Sequence, residues 1–82
     1  MTRTTMRGSV TPQQYRALRL MSEGKEMREI AEAMGITYET VRSHLKYAYE
    51  RLGARDGAHA VRLCYERGIF RLPTTDHEET RN

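Results

Sequence analysis

The chain has 82 residues, 38% of them apolar and 30% charged, with a net charge of +3. That length holds one domain, and the balance is too apolar for a disordered chain and too polar for a membrane protein. No apolar run nears the ~20 residues that a bilayer span needs. The lone cysteine, Cys64, excludes an internal disulfide and fits a reducing cytoplasm.

Residues 1–9 mix Thr, Arg, Gly and Ser with two Met and read as a mobile arm. Arg3 and Arg7 have no apolar stretch behind them, so the start is not a secretory signal. Thr11-Pro12-Gln13-Gln14 predicts a helix start: Thr11 caps, Pro12 takes the first helical position and Gln14 completes a capping box. Val10 and Tyr15 are placed for a hydrophobic staple. Ala17, Leu18 and Met21 form the apolar face, with Leu20 at its margin, and Gly24 stops the helix. A second helix is predicted over 27–34, with Met27, Ile30, Ala31 and Met34 on one side and Gly35 at its end.

Thr37 caps a third helix that runs to about Leu52. Val41, Leu45, Ala48 and Leu52 recur at helical spacing and face inward, flanked by His44 and Tyr49. Arg42, Ser43, Lys46, Tyr47 and Glu50 lie opposite. After Gly53, Asp56 caps a fourth helix reaching about Arg67, with Ala60, Val61 and Cys64 inside. Gly68 ends it, and Ile69 and Phe70 fold back onto the core. Residues 73–82 are polar and acidic and read as a disordered tail of net charge −2. The ordered domain is therefore 10–72, all-α, with four helices.

An enzyme is disfavoured. His44, His59 and His77 are too far apart in sequence to pair as metal ligands, and no second cysteine or phosphate-binding glycine loop exists. No metal or cofactor is expected. Cys64 reads as a small core residue, His44 as a packing residue, and the Met residues at core spacings as filling.

Two helices joined through Met34-Gly35-Ile36-Thr37 carry the functional signal. A three-to-four-residue turn with Gly between a short and a longer helix is the helix-turn-helix pattern. It predicts that the third helix offers its polar face to a major groove. Arg42 and Lys46 suit guanine O6 and N7, Lys46 also suits a phosphate, and Ser43 suits several bases. Thr37 and Thr40, at the helix start, are candidates for phosphate. Tyr47 reads equally as a phosphate contact and as cover for its helix. Arg28 reads as a phosphate contact or as an ion-pair partner of Glu32.

Thr11-Pro12, Glu23-Gly24, Glu29-Ile30-Ala31, Gly35-Ile36-Thr37, Thr40-Val41-Arg42-Ser43-His44-Leu45, Leu52-Gly53-Ala54-Arg55 and Ala60-Val61, taken in order, resemble the LuxR-type (GerE-like) DNA-binding domain. The resemblance covers about 10–70. It implies a four-helix domain that binds double-stranded DNA as a homodimer, with the third helix in the groove and the fourth pairing subunits. His59, Arg62, Leu63 and Glu66, off the inner stripe of the fourth helix, then become the dimer contacts, in a patch small enough that pairing is expected on DNA. The chain looks like a free-standing member without a receiver or sensing domain. Gln14 stands where the family commonly has Glu, Glu26 where Ser or Thr often caps the second helix, and Asp56-Gly57-Ala58-His59 is a looser start to the last helix. The expected function is a cytoplasmic, sequence-specific transcriptional regulator. The rival reading is a protein-interaction module that docks on RNA polymerase or another regulator.

Overall fold

The computed structural model describes residues 10–70, which form four helices. They are α1 (Pro12–Ser22), α2 (Met27–Met34), α3 (Tyr38–Leu52) and α4 (Gly57–Glu66). The expected arm at 1–9 and tail at 73–82, with Arg71 and Leu72 of the expected domain, lie outside the described residues.

Local chemistry starts each helix. At α1 the Thr11 N–H donates to Gln14 Oε1 at 3.0 Å and the Gln14 N–H donates to Thr11 Oγ1 at 3.1 Å, a reciprocal box. Gln14 is itself buried, and this bond satisfies its side-chain oxygen within the fold. At α2 the Glu29 carboxylate accepts from the Glu26 N–H at 2.7 Å. At α4 Asp56 Oδ1 accepts from the His59 N–H at 2.9 Å, and His59 Nδ1 accepts from the Arg55 N–H at 3.1 Å.

The start of α4 is tighter than its sequence implies. A Cβ on Gly57 would sit 2.8 Å from Met21 Sδ and 3.0 Å from Tyr49 Oη. Glycine stands there because side chains of α1 and α3 close over that point, and its φ is not in the left-handed region.

The helices α1 and α3 each pack on all the others, while α2 and α4 barely meet. The core is Ala17 and Leu18 of α1, Ile30 and Ala31 of α2, Val41, Leu45, Ala48 and Leu52 of α3, Ala60 and Cys64 of α4, and Phe70. All four expected inward residues of α3 are buried. Met21, Met27, Met34 and Val61 are only half-buried and close the margins. The α4 helix ends at Glu66, with Arg67 as its cap, and the Arg67 guanidinium donates to the Leu52 carbonyl at 2.9 Å. That bond ties the end of α4 to the end of α3, where an unpaired carbonyl welcomes a cation. Phe70 returns to the core with Tyr15 and Tyr65 packed edge-on against it.

Burial pushes the Cys64 thiol up to about 11, against the pull of the Arg67 charge. The unfolded thiol therefore loses its proton first as pH rises. Stability should fall between about pH 9 and 11, with a slope from this group of at most ~1.4 kcal/mol per pH unit. Urea melts across that range should show a flatter decline for Cys64→Ala than for the parent protein. Equal slopes would mean that the thiol is as solvated folded as unfolded.

Candidate nucleic-acid interface

The interface depends on how α2 hands the chain to α3. Gly35 takes a left-handed conformation, φ 69° and ψ 33°. The Ile36 N–H donates back to the Ala31 carbonyl at 3.0 Å, and the Gly35 N–H to the Glu32 carbonyl at 3.2 Å. These two bonds are a Schellman closure, and Ile36 folds against the core as part of it. Thr37 then opens α3 at once. Its Oγ1 accepts from the Thr40 N–H at 3.1 Å, and the two threonine hydroxyls share a bond of 2.8 Å. The turn between the helices is only Gly35-Ile36-Thr37. Val41, fully buried, locks the start of α3 into the core.

With one side of α3 fixed inward, its other side must face solvent. Arg42, Ser43 and Lys46 are all exposed there. They share one open groove of about 430 Å³ with Glu39, and Met27, Leu45 and Tyr49 supply its apolar part. Met27 begins α2, so the start of α2 lies beside the polar stripe of α3. Arg28, the next residue, is exposed and, among the described residues, forms no ion pair with Glu32.

Tyr47 does not join this group. It is 53% exposed and lines a different depression, of about 460 Å³, with Gln14, Glu50 and Arg51. Its ring lies 5.9 Å from Lys46 Nζ, at the outer limit of a cation–π contact. Thr37 and Thr40 occupy each other at the helix start, Thr37 first as the cap and Thr40 as a first-turn residue.

Glu39 was not among the sequence candidates. Its carboxylate is 3.8 Å from the Arg42 guanidinium, and the two side chains are 78% and 60% exposed. Such an exposed pair on a helix contributes only ~0.3–0.5 kcal/mol. A bidentate Arg–guanine contact discriminates by ~1–3 kcal/mol, so Glu39 does not hold Arg42 back. The signal was available in sequence: residue 39 precedes Arg42 by three, Ser43 by four and Lys46 by seven, all on one helix face.

On α4, Arg62 Nε donates to Glu66 Oε2 at 2.7 Å along the exposed side. Leu63, expected off the inner stripe, is half-buried and packs against the core. His59 is half-buried, with its ring nitrogen used at the loop before α4. These four candidates therefore share a helix, but two of them also serve the fold.

A short helix, a three-residue turn through a left-handed glycine and a longer helix with a polar outer stripe define a helix-turn-helix domain. The family model of bacterial regulatory proteins of the luxR family, GerE, matches residues 8–64. Among curated relatives, the transcriptional activator protein TraR of Rhizobium radiobacter is 38% identical over 59 residues, 72% of this chain and 25% of TraR. The transcriptional activator protein BjaR1 of Bradyrhizobium diazoefficiens is 37% identical over 61 residues, 74% of this chain and 25% of BjaR1. The transcriptional regulatory protein MctR of Rhizobium johnstonii is 35% identical over 60 residues, 73% of this chain and 28% of MctR. No solved structure matches. The chain belongs to the LuxR family of bacterial regulatory proteins, and what it carries is that family's DNA-binding, transcription-regulating helix-turn-helix domain. It spans about a quarter of the length of these three relatives. Among the described residues, no helix is long and apolar enough to cross a membrane.

Proposed function

We propose that the protein is a sequence-specific transcriptional regulator of the cytoplasm that lays α3 in the major groove of double-stranded DNA and acts as a homodimer. The single observation behind this reading is the stripe of Arg42, Ser43 and Lys46, exposed along one groove directly after the Gly35 turn. Arg42 takes guanine O6 and N7, Lys46 takes a neighbouring acceptor, and Ser43 adapts to several bases. Thr37 and Thr40, at the positive end of α3, and Arg28, at the start of α2, take phosphates. Tyr47, around the side of α3, reaches a flanking phosphate with its hydroxyl. Affinity then comes largely from phosphates and specificity from the three stripe residues.

Pairing uses the outer side of α4, with Arg62, Glu66, Leu63 and His59. An ion pair that each Arg62 now makes with its own Glu66 is exchangeable for one across a two-fold axis. So small a patch lies below the ~1,200 Å² of a stable interface. Two copies therefore pair when DNA holds them on adjacent half-sites, where effective concentration is high.

Arg42→Ala should weaken binding to a selected duplex by ~1–3 kcal/mol and barely affect a scrambled one. Paired titrations decide it: an equal loss on both makes Arg42 a phosphate contact, and no loss on either ends the docking scheme and favours the protein-interaction reading. Thr37→Asp keeps a side-chain cap of equal quality, so urea stability should stay within ~0.5 kcal/mol. The new charge should still weaken binding several-fold on all duplexes; unchanged affinity would place Thr37 away from phosphate. Leu63→Glu should abolish cooperative binding to a palindrome. Because Leu63 also touches the core, retained half-site affinity is the check that the variant is folded. Undiminished cooperativity would move the interface off α4.

A further inference from the structure

We infer that Glu39 is a fourth reading residue of α3, selecting a cytosine at the base pair one step beyond the guanine taken by Arg42; this rests on α3 lying in the major groove as proposed above. Glu39 is in the first turn of α3, the part of a recognition helix that goes deepest toward base edges. It shares the groove with Arg42, Ser43 and Lys46, and it is the most N-terminal member of their stripe. Its carboxylate favours the positive end of α3 from an exposed position and, among the described residues, its one ion pair is the 3.8 Å contact with the Arg42 guanidinium, so it stays free to meet a base.

The chemistry of a carboxylate then fixes the partner. It accepts hydrogen bonds and donates none. Placed against guanine N7 and O6, thymine O4 or a phosphate, it meets only acceptors and is repelled. Cytosine offers its N4 amino group, the donor that Glu and Asp take in a major groove. Adenine offers N6 but sets N7 beside it, so cytosine is the better fit. The spacing decides the position. Three residues along a helix advance ~4.5 Å, slightly more than the ~3.4 Å between base pairs. Glu39 thus reaches the neighbouring pair rather than the one held by Arg42. A basic residue at 39 would raise affinity on every sequence; an acid lowers affinity everywhere except where it finds a donor, which sharpens the choice.

The test is selection from a pool of duplexes with a randomised central 20 base pairs, using the parent chain, Glu39→Ala, Glu39→Gln and Arg42→Ala. Base preference is the readout, since removing an acid near phosphates strengthens binding whether or not Glu39 reads. The parent should select cytosine beside a guanine, with a preference of roughly 5–150-fold, the range of one good base contact. Glu39→Ala should lose the cytosine alone and keep every other position. Glu39→Gln should shift that position toward adenine, which Gln meets through both N6 and N7. Both variants alter an exposed side chain, and matching melting curves confirm that they fold. If Glu39→Ala selects the parental motif while Arg42→Ala loses its guanine, α3 is in the groove and Glu39 does not read. If Arg42→Ala also selects the parental motif, the docking scheme fails and the role of Glu39 fails with it.

Discussion

The bond from the Ile36 N–H to the Ala31 carbonyl, closed across left-handed Gly35, is the constraint on which the domain depends. It ends α2 and allows α3 to begin after only three residues, under its Thr37 cap. A longer link would let α3 pivot. A three-residue link with Ile36 folded inward and Val41 fully buried leaves it one orientation. On the proposed function the orientation matters, because side chains that read a groove must hold their placement within fractions of an ångström. The rest of the fold is organised to keep α3 still.

Support comes from both ends. Leu18 and Ala17 of α1 and Ile30 of α2 share one core with the inner residues of α3. At the far end, Arg67 reaches from the cap of α4 to the Leu52 carbonyl. Tyr49 sits between, its hydroxyl 3.9 Å from Met21 sulfur and against Gly57. Burial first, and then the charge of Asp56, raise its pKa above the ordinary tyrosine value, so that hydroxyl keeps its proton at physiological pH. The α4 helix therefore has two duties: its inner side braces α3, while its outer side, with the Arg62–Glu66 pair, stays open to solvent.

Charge on the outer face of α3 is mixed rather than uniformly basic. Arg42 and Lys46 are flanked by Glu39 before them and Glu50 after them, all four exposed. A purely basic stripe would bind any duplex through its phosphates. Flanking acids reduce that general attraction to phosphate, an arrangement consistent with the base reading proposed above.

Sequence alone determined the four helices, because their signals are local. Thr11, Thr37 and Asp56 are caps, Gly35 and Gly53 are stops, and Val41, Leu45, Ala48 and Leu52 mark an inner face by spacing. It also determined the Arg42-Ser43-Lys46 stripe, since an inner face fixes an outer one. Tertiary structure decided what depends on partners distant in the chain. Gly57 looked like looseness until Met21 and Tyr49, from two other helices, closed over it. Leu63 looked spare on its own helix and proved half-buried once the core was assembled. Tyr47 shared a sequence face with Lys46, yet it lines another depression with Gln14 of α1. Glu39 shares a helix face with Arg42, Ser43 and Lys46 by spacing alone, and packing added the second side of their groove by setting Met27 of α2 beside α3. Periodicity states which way a residue points along its own helix, and packing between helices states what it meets there.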